Sequence, residues 1–131
     1  MVVSRSLGVC AALALMASGA IAQGRGEWIF LGQTKVQPYG AKEVILAAPK
    51  GDVSAIQLRV ENAAIDIWQI EIHFMSGLTT KMKVKEFVQP GGQTSVIEFK
   101  GRRAVVRSVE ISYAKTKWGR ERPVVSLFAR R

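Results

Sequence analysis

The chain has one cysteine, one histidine and ten acidic residues among 131, and its only long apolar run lies within the first 22 residues. Each scarcity excludes something. Cys10 belongs to that leading segment, where Arg5 supplies positive charge, Leu7 to Met16 an apolar stretch and Ala20-Ile21-Ala22 a small-x-small cleavage signature. These features predict a secretory signal over residues 1–22 and a mature chain that begins at Gln23. A lipoprotein signal is disfavoured because Cys10 follows a bulky Val and comes too early. The 16 residues from Leu7 to Ala22 fall short of the ~20 that a spanning helix needs. With the leader removed, the 109 remaining residues hold no thiol, which excludes a disulfide, a thiolate nucleophile and a sulfur metal site. No other stretch is long and apolar enough to span a bilayer, so the mature chain, residues 23–131, is expected to be one soluble domain, periplasmic or secreted. A multidomain enzyme does not fit this length.

The shortage of acid is unevenly distributed. Gln23 to Phe99 holds eight basic and eight acidic residues, whereas Lys100 to Arg131 holds ten basic and two acidic. All of the mature chain's excess positive charge therefore sits in its last 32 residues, which speaks to partners and solubility and not to fold.

Helical periodicity is also scarce. From Trp28 onward apolar residues recur at alternate positions, the spacing that puts successive side chains on opposite faces of a strand. Strands are expected over Trp28 to Gln33, Glu43 to Ala47, Ser54 to Glu61, Ile65 to Phe74, Leu78 to Glu86, Thr94 to Phe99, Ala104 to Tyr113 and Val124 to Phe128. Turn residues such as Pro49-Lys50-Gly51-Asp52 and Gln89-Pro90-Gly91-Gly92 separate them. In the third strand Ile56, Leu58 and Val60 point inward, with Gln57, Arg59 and Glu61 outward; one wet face indicates antiparallel pairing. In the fourth, Ile65 and Ile67 are out of phase with Ile70, Ile72 and Phe74, which predicts a bulge near Trp68-Gln69. In the fifth, Leu78, Thr80, Met82 and Val84 face one way and Lys81, Lys83 and Lys85 the other. Eight short strands in one domain predict an all-β fold, an antiparallel β-sandwich, with a small barrel as the alternative. Nothing between the strands is long enough for the crossover helices of a parallel sheet.

These residues resemble a family of small exported bacterial proteins described only as a domain of unknown function. The pattern runs through Trp28-Ile29-Phe30-Leu31-Gly32, Glu43-Val44-Ile45, Gly51 with Ile56, Leu58 and Val60, then Ile70, Phe74 and Gly77. It continues with Gly91-Gly92, Ile97, Arg103, Val109 and Tyr113 and closes on Leu127-Phe128. The resemblance implies a β-sandwich outside the cytoplasm and supplies no reaction.

Chemistry-bearing groups are few. His73 falls on the outward side of its strand with only Glu71 near it on the same face, so a metal site would need ligands from distant strands, and none is expected. Asp52, Asp66 and the serines form no Gly-x-Ser-x-Gly elbow. Gly91-Gly92 precedes no helix and lacks the Lys-Ser or Lys-Thr of a P-loop, so it reads as a turn that needs positive φ. No cofactor and no catalysis are expected; a hydrolase would show a pocket with convergent carboxylates.

The basic segment remains. Lys100, Arg102 and Arg103 share one turn; Lys115, Lys117, Arg120 and Arg122 share one loop around Trp118; Arg130-Arg131 ends the chain. Were turn and loop at the same end of the sandwich, they would form one anion-binding patch with an exposed indole at its centre, suited to phosphate or carboxylate oxygens. Trp118 could instead plug the sandwich's open end. The expected function is a non-catalytic binding module for an anionic envelope component. The alternatives are a structural or protein-interaction module that uses strand edges, with the lysine comb as protection against such pairing, and a nucleic-acid-binding domain, which export disfavours.

Overall fold

The computed structural model describes residues 27–37, 40–48, 50–114, 118 and 120–131. The leader, together with Lys115 and Lys117 of the basic loop, lies outside the described residues. The alternation of apolar residues resolves into eight strands: β1 Trp28–Lys35, β2 Lys42–Leu46, β3 Ala55–Glu61, β4 Ile65–Phe74, β5 Thr79–Val88, β6 Ile97–Glu98, β7 Val106–Tyr113 and β8 Val124–Arg130. They form two four-stranded antiparallel sheets, ordered β1-β8-β3-β6 and β2-β7-β4-β5, and so a β-sandwich. Among the described residues no helix is long and apolar enough to cross a membrane.

Inward-facing Ile56, Leu58, Val60, Ile70, Ile72, Val109, Ile111, Val125 and Leu127 are fully buried between the sheets. Side chains of this kind contribute roughly 1.5–3 kcal/mol each on burial. The expected bulge occurs at Trp68: β4 and β7 pair Ile67 with Tyr113 and Gln69 with Ser112, so that one extra residue on β4 restores the buried phase.

Three strands depart from expectation. β6 contracts from Thr94–Phe99 to Ile97–Glu98, because Thr94 is drawn over β3, where its Oγ1 accepts from the Leu58 amide (3.1 Å) and its carbonyl accepts from Gln57 Nε2 (2.9 Å). The same segment covers the outer side of β3, so Gln57 is buried where a wet face was expected. Leu78 precedes β5, where the strand was expected to begin, and is exposed. Lys81, Lys83 and Lys85 do stand exposed on β5, which is an edge strand of its sheet.

The two lateral sides of the sandwich differ. On one, the Ala48 amide donates to the Leu31 carbonyl (2.9 Å). There Gly32 is required, because a Cβ would collide with the Leu46 carbonyl oxygen. On the other side the two-residue β6 cannot cover β5, and a groove remains open between the sheets.

Candidate functional site

Segments on either side of a strand lie at its opposite ends. The turn holding Lys100, Arg102 and Arg103 precedes β7 and the loop holding Trp118, Arg120 and Arg122 follows it, so the eight-residue strand separates them by about 25 Å. Among the described residues, the turn and the loop therefore do not join in one patch around Trp118.

The upper end, marked by turns 75–78 and 99–105, collects part of the positive charge. Lys50, Lys100, Arg102, Arg103, Arg130 and Arg131 meet there with Glu27, Asp52 and Glu98. Arg103 Nη2 donates to the Asp52 carbonyl (3.2 Å), Arg131 Nη2 to the Lys50 carbonyl (3.3 Å), and Arg130 pairs with Glu98 (3.4 Å). Lys100 and Arg102 are exposed, and their side chains have no partner among the described residues. Lys100 and Gly101 both have positive φ (50° and 77°), and the Arg102 amide donates to the Phe99 carbonyl (3.3 Å), the geometry of a tight type I′ turn. That turn pushes Lys100 outward at the mouth of the lateral groove. The groove has a volume of about 980 Å³, a floor that includes Phe74, Ile97 and Phe99, and a rim of Lys81, Lys100, Arg102 and Arg103. Phe74 and Phe99 meet edge to face at 5.3 Å. Met75 and Leu78 stand exposed beside it.

At the lower end, among the described residues, Trp118 and Arg122 are used internally. Trp118 plugs the sandwich: it packs on the core, lies 5.9 Å from the Tyr113 ring, and donates from Nε1 to the Ala64 carbonyl (3.2 Å). Of the two arrangements considered for Trp118, its half-buried indole corresponds to the plug and not to the exposed centre of a patch. Arg122 is half-buried, and its Nη1 donates to the Val36 carbonyl (3.2 Å), while Arg120 is exposed. Burial, and then the negative charge of Glu43, push the Tyr113 phenol up to about 12. The Glu43 carboxylate adds to this by favouring the phenol's proton, although the hydroxyl does not complete a geometric hydrogen bond. Glu43 is held instead by the Gln37 amide (3.1 Å) and Thr34 Oγ1 (3.5 Å).

Two further clusters lie on the outer face of the β2-β7-β4-β5 sheet. His73 is joined by Glu71 and also by Glu110, which strand order sets directly opposite Glu71, so its neighbours come from the adjacent strand and not from distant ones. One ligand atom from each of the three lies within 4.8 Å of the others; His73 Nε2 is 3.8 Å from Glu71, and Nδ1 is 3.3 Å from Thr79 Oγ1. Such a donor set could accept a cation. The second cluster surrounds Trp68, which the bulge leaves 52% exposed in a cleft with Asp66, Gln69, Lys83, Lys85 and Ser112. Sequence reasoning located the bulge but assigned Trp68 no role; the phase slip was the available signal.

The chain is similar in fold to part of AlgX from Pseudomonas aeruginosa, at 14% identity and a TM-score of 0.54, over 80% of this chain and 27% of that one. It is also similar to a Bacteroides thetaiotaomicron protein assigned as an alpha-L-fucosidase, at 13% identity and a TM-score of 0.50, over 79% of this chain and 23% of that one. It thus spans about a quarter of each of those proteins. A weaker similarity, at 14% identity and a TM-score of 0.43, links it to the family 32 carbohydrate-binding module of C. perfringens NanJ in complex with galactose, over 73% of this chain and 74% of that one. No curated protein sequence matches. A family model for DUF2541, a domain of unknown function, matches residues 8–129, and the chain belongs to that family.

Proposed function

We propose that the protein is exported and acts as a non-catalytic binding module, docking on anionic envelope material through its upper end. Lipopolysaccharide phosphates, acidic polysaccharide and anionic lipid share the chemistry that this end would recognise. The observation that carries the reading is the gathering of Lys100, Arg102 and Arg103 with Lys81 on the rim of one groove, with the Lys100 and Arg102 side chains lacking partners among the described residues. Guanidinium forks suit phosphate and carboxylate oxygens. Of the eight candidate residues, Arg122 and Trp118 are engaged in holding the lower end together, which supports the upper cluster as the docking surface.

Export predicts that the protein recovered outside the cytoplasm starts at Gln23 on N-terminal sequencing; a chain beginning at Met1 in the cell interior would remove the premise. Docking predicts that isolated envelope retains the protein at low salt and releases it as salt rises, because exposed charges are screened over about 10 Å at 0.1 M. Arg102→Glu with Arg103→Glu should abolish that retention. Retention unchanged by the double substitution at every salt concentration would refute the assignment.

A further inference from the structure

Two backbone irregularities meet at one point on the outer face of the β2-β7-β4-β5 sheet. Trp68 is the extra residue of β4 against β7. On the other side, β5 sets both Val84 and Lys85 against Trp68, between the pairs Glu86–Ile67 and Lys83–Gln69. Lys85 has φ of 48°, a left-handed conformation that costs a side-chain-bearing residue roughly 1–2 kcal/mol. One bulge suffices to keep Ile65, Ile67, Ile70 and Ile72 buried; the pair of irregularities also shapes the outer surface, which is where bulges re-aim side chains.

The result is an open cleft of about 650 Å³ lined by Asp66, Trp68, Gln69, Lys83, Lys85 and Ser112. Its floor is a half-exposed indole, and its five polar side chains make no side-chain hydrogen bond or ion pair with any described residue. Their chemistry is mixed. Asp66 only accepts, the lysines only donate, and Gln69 and Ser112 do both.

We infer that this cleft binds an acidic sugar unit of a glycan. The indole packs against the apolar face of the sugar ring, Asp66, Gln69 and Ser112 share its hydroxyls, and Lys83 and Lys85 pair with its anionic group. A stacked nucleobase fits less well, because a single aromatic gives no platform for successive bases. Its lining is distinct from that of the upper groove, although Lys81 on the groove's rim stands two residues from Lys83 on β5; Trp68 itself is set back from Phe74 by about 20 Å along β4.

The test applies the mature chain to immobilised acidic and neutral glycans, with single-stranded DNA as a competitor. At least one acidic glycan should be retained, and its neutral counterpart should bind more weakly. Trp68→Ala should lower that affinity by about tenfold or more, Trp68→Tyr should restore part of it, and Lys83→Ala with Lys85→Ala should lower it and flatten its salt dependence. Because Trp68 is half-exposed, its replacement should leave the unfolding midpoint nearly unchanged. Arg102→Glu with Arg103→Glu should not alter this binding, so failure here is distinguishable from failure of the upper-end reading. Retention of no acidic glycan, equal binding by Trp68→Ala, or full displacement by single-stranded DNA would overturn the assignment.

Discussion

The two ends of this sandwich carry similar residue types and use them differently. At the lower end Trp118 and Arg122 satisfy backbone carbonyls of Ala64 and Val36, and Trp118 seals the core beside Tyr113. At the upper end Lys100 and Arg102 have no such partners among the described residues, and Met75 and Leu78 stand exposed. A basic or aromatic side chain therefore says little about function until its hydrogen bonds are known: where internal carbonyls claim it, it contributes to stability, and where nothing does, it is available to a partner.

The strongest way to break this contrast is to truncate the plug. Trp118→Ala should lower the unfolding free energy by about 3 kcal/mol, through the void it leaves and the stranded Ala64 carbonyl, while Leu78→Ala at the upper end should change it by less than about 0.5 kcal/mol. Urea unfolding measures both, and equal effects would erase the distinction.

Alkaline titration sharpens the contrast next. The Tyr113 phenol is raised in the fold from 10.0 to about 12, so its contribution is fully present below pH 10 and is lost as pH rises toward 12. Stability should decline over that window by up to ~1.4 kcal/mol per pH unit, and Tyr113→Phe should reduce the slope. An unchanged slope would show that the phenol is not the group responsible.

Arginine truncation compares the ends directly. Arg122→Ala should cost about 1.5 kcal/mol, because it removes a charged donor from a backbone carbonyl, whereas Arg102→Ala should stay within about 0.5 kcal/mol. The smallest effect is expected at Lys100, whose left-handed φ suits asparagine or glycine better. Lys100→Asn should stabilise by about 0.5 kcal/mol while weakening envelope retention, which would separate the residue's use from its structural cost.

Much of this architecture was legible in the sequence because a strand's side-chain period is two, so a single phase slip between Ile67 and Ile70 revealed the bulge without any knowledge of partners. Strand ends were less legible: Thr94 has strand-like neighbours, yet its hydroxyl and carbonyl are recruited by Leu58 and Gln57, a contact between distant segments. The proximity of Glu110 to His73 likewise depends on β7 lying beside β4, which alternation does not encode. The separation of the two basic clusters was in principle available, since one strand between two loops places them at opposite ends. What alternation could not supply was the bonding of Trp118 and Arg122, which depends on where Ala64 and Val36 present their carbonyls.

The most direct measurement is envelope retention at increasing salt for three forms of the mature protein: unaltered, Arg102→Glu with Arg103→Glu, and Arg120→Glu. Docking through the upper end predicts that the first and third are retained alike and released by salt, while the second is not retained at all. Equal retention of all three, or loss confined to Arg120→Glu, would contradict it.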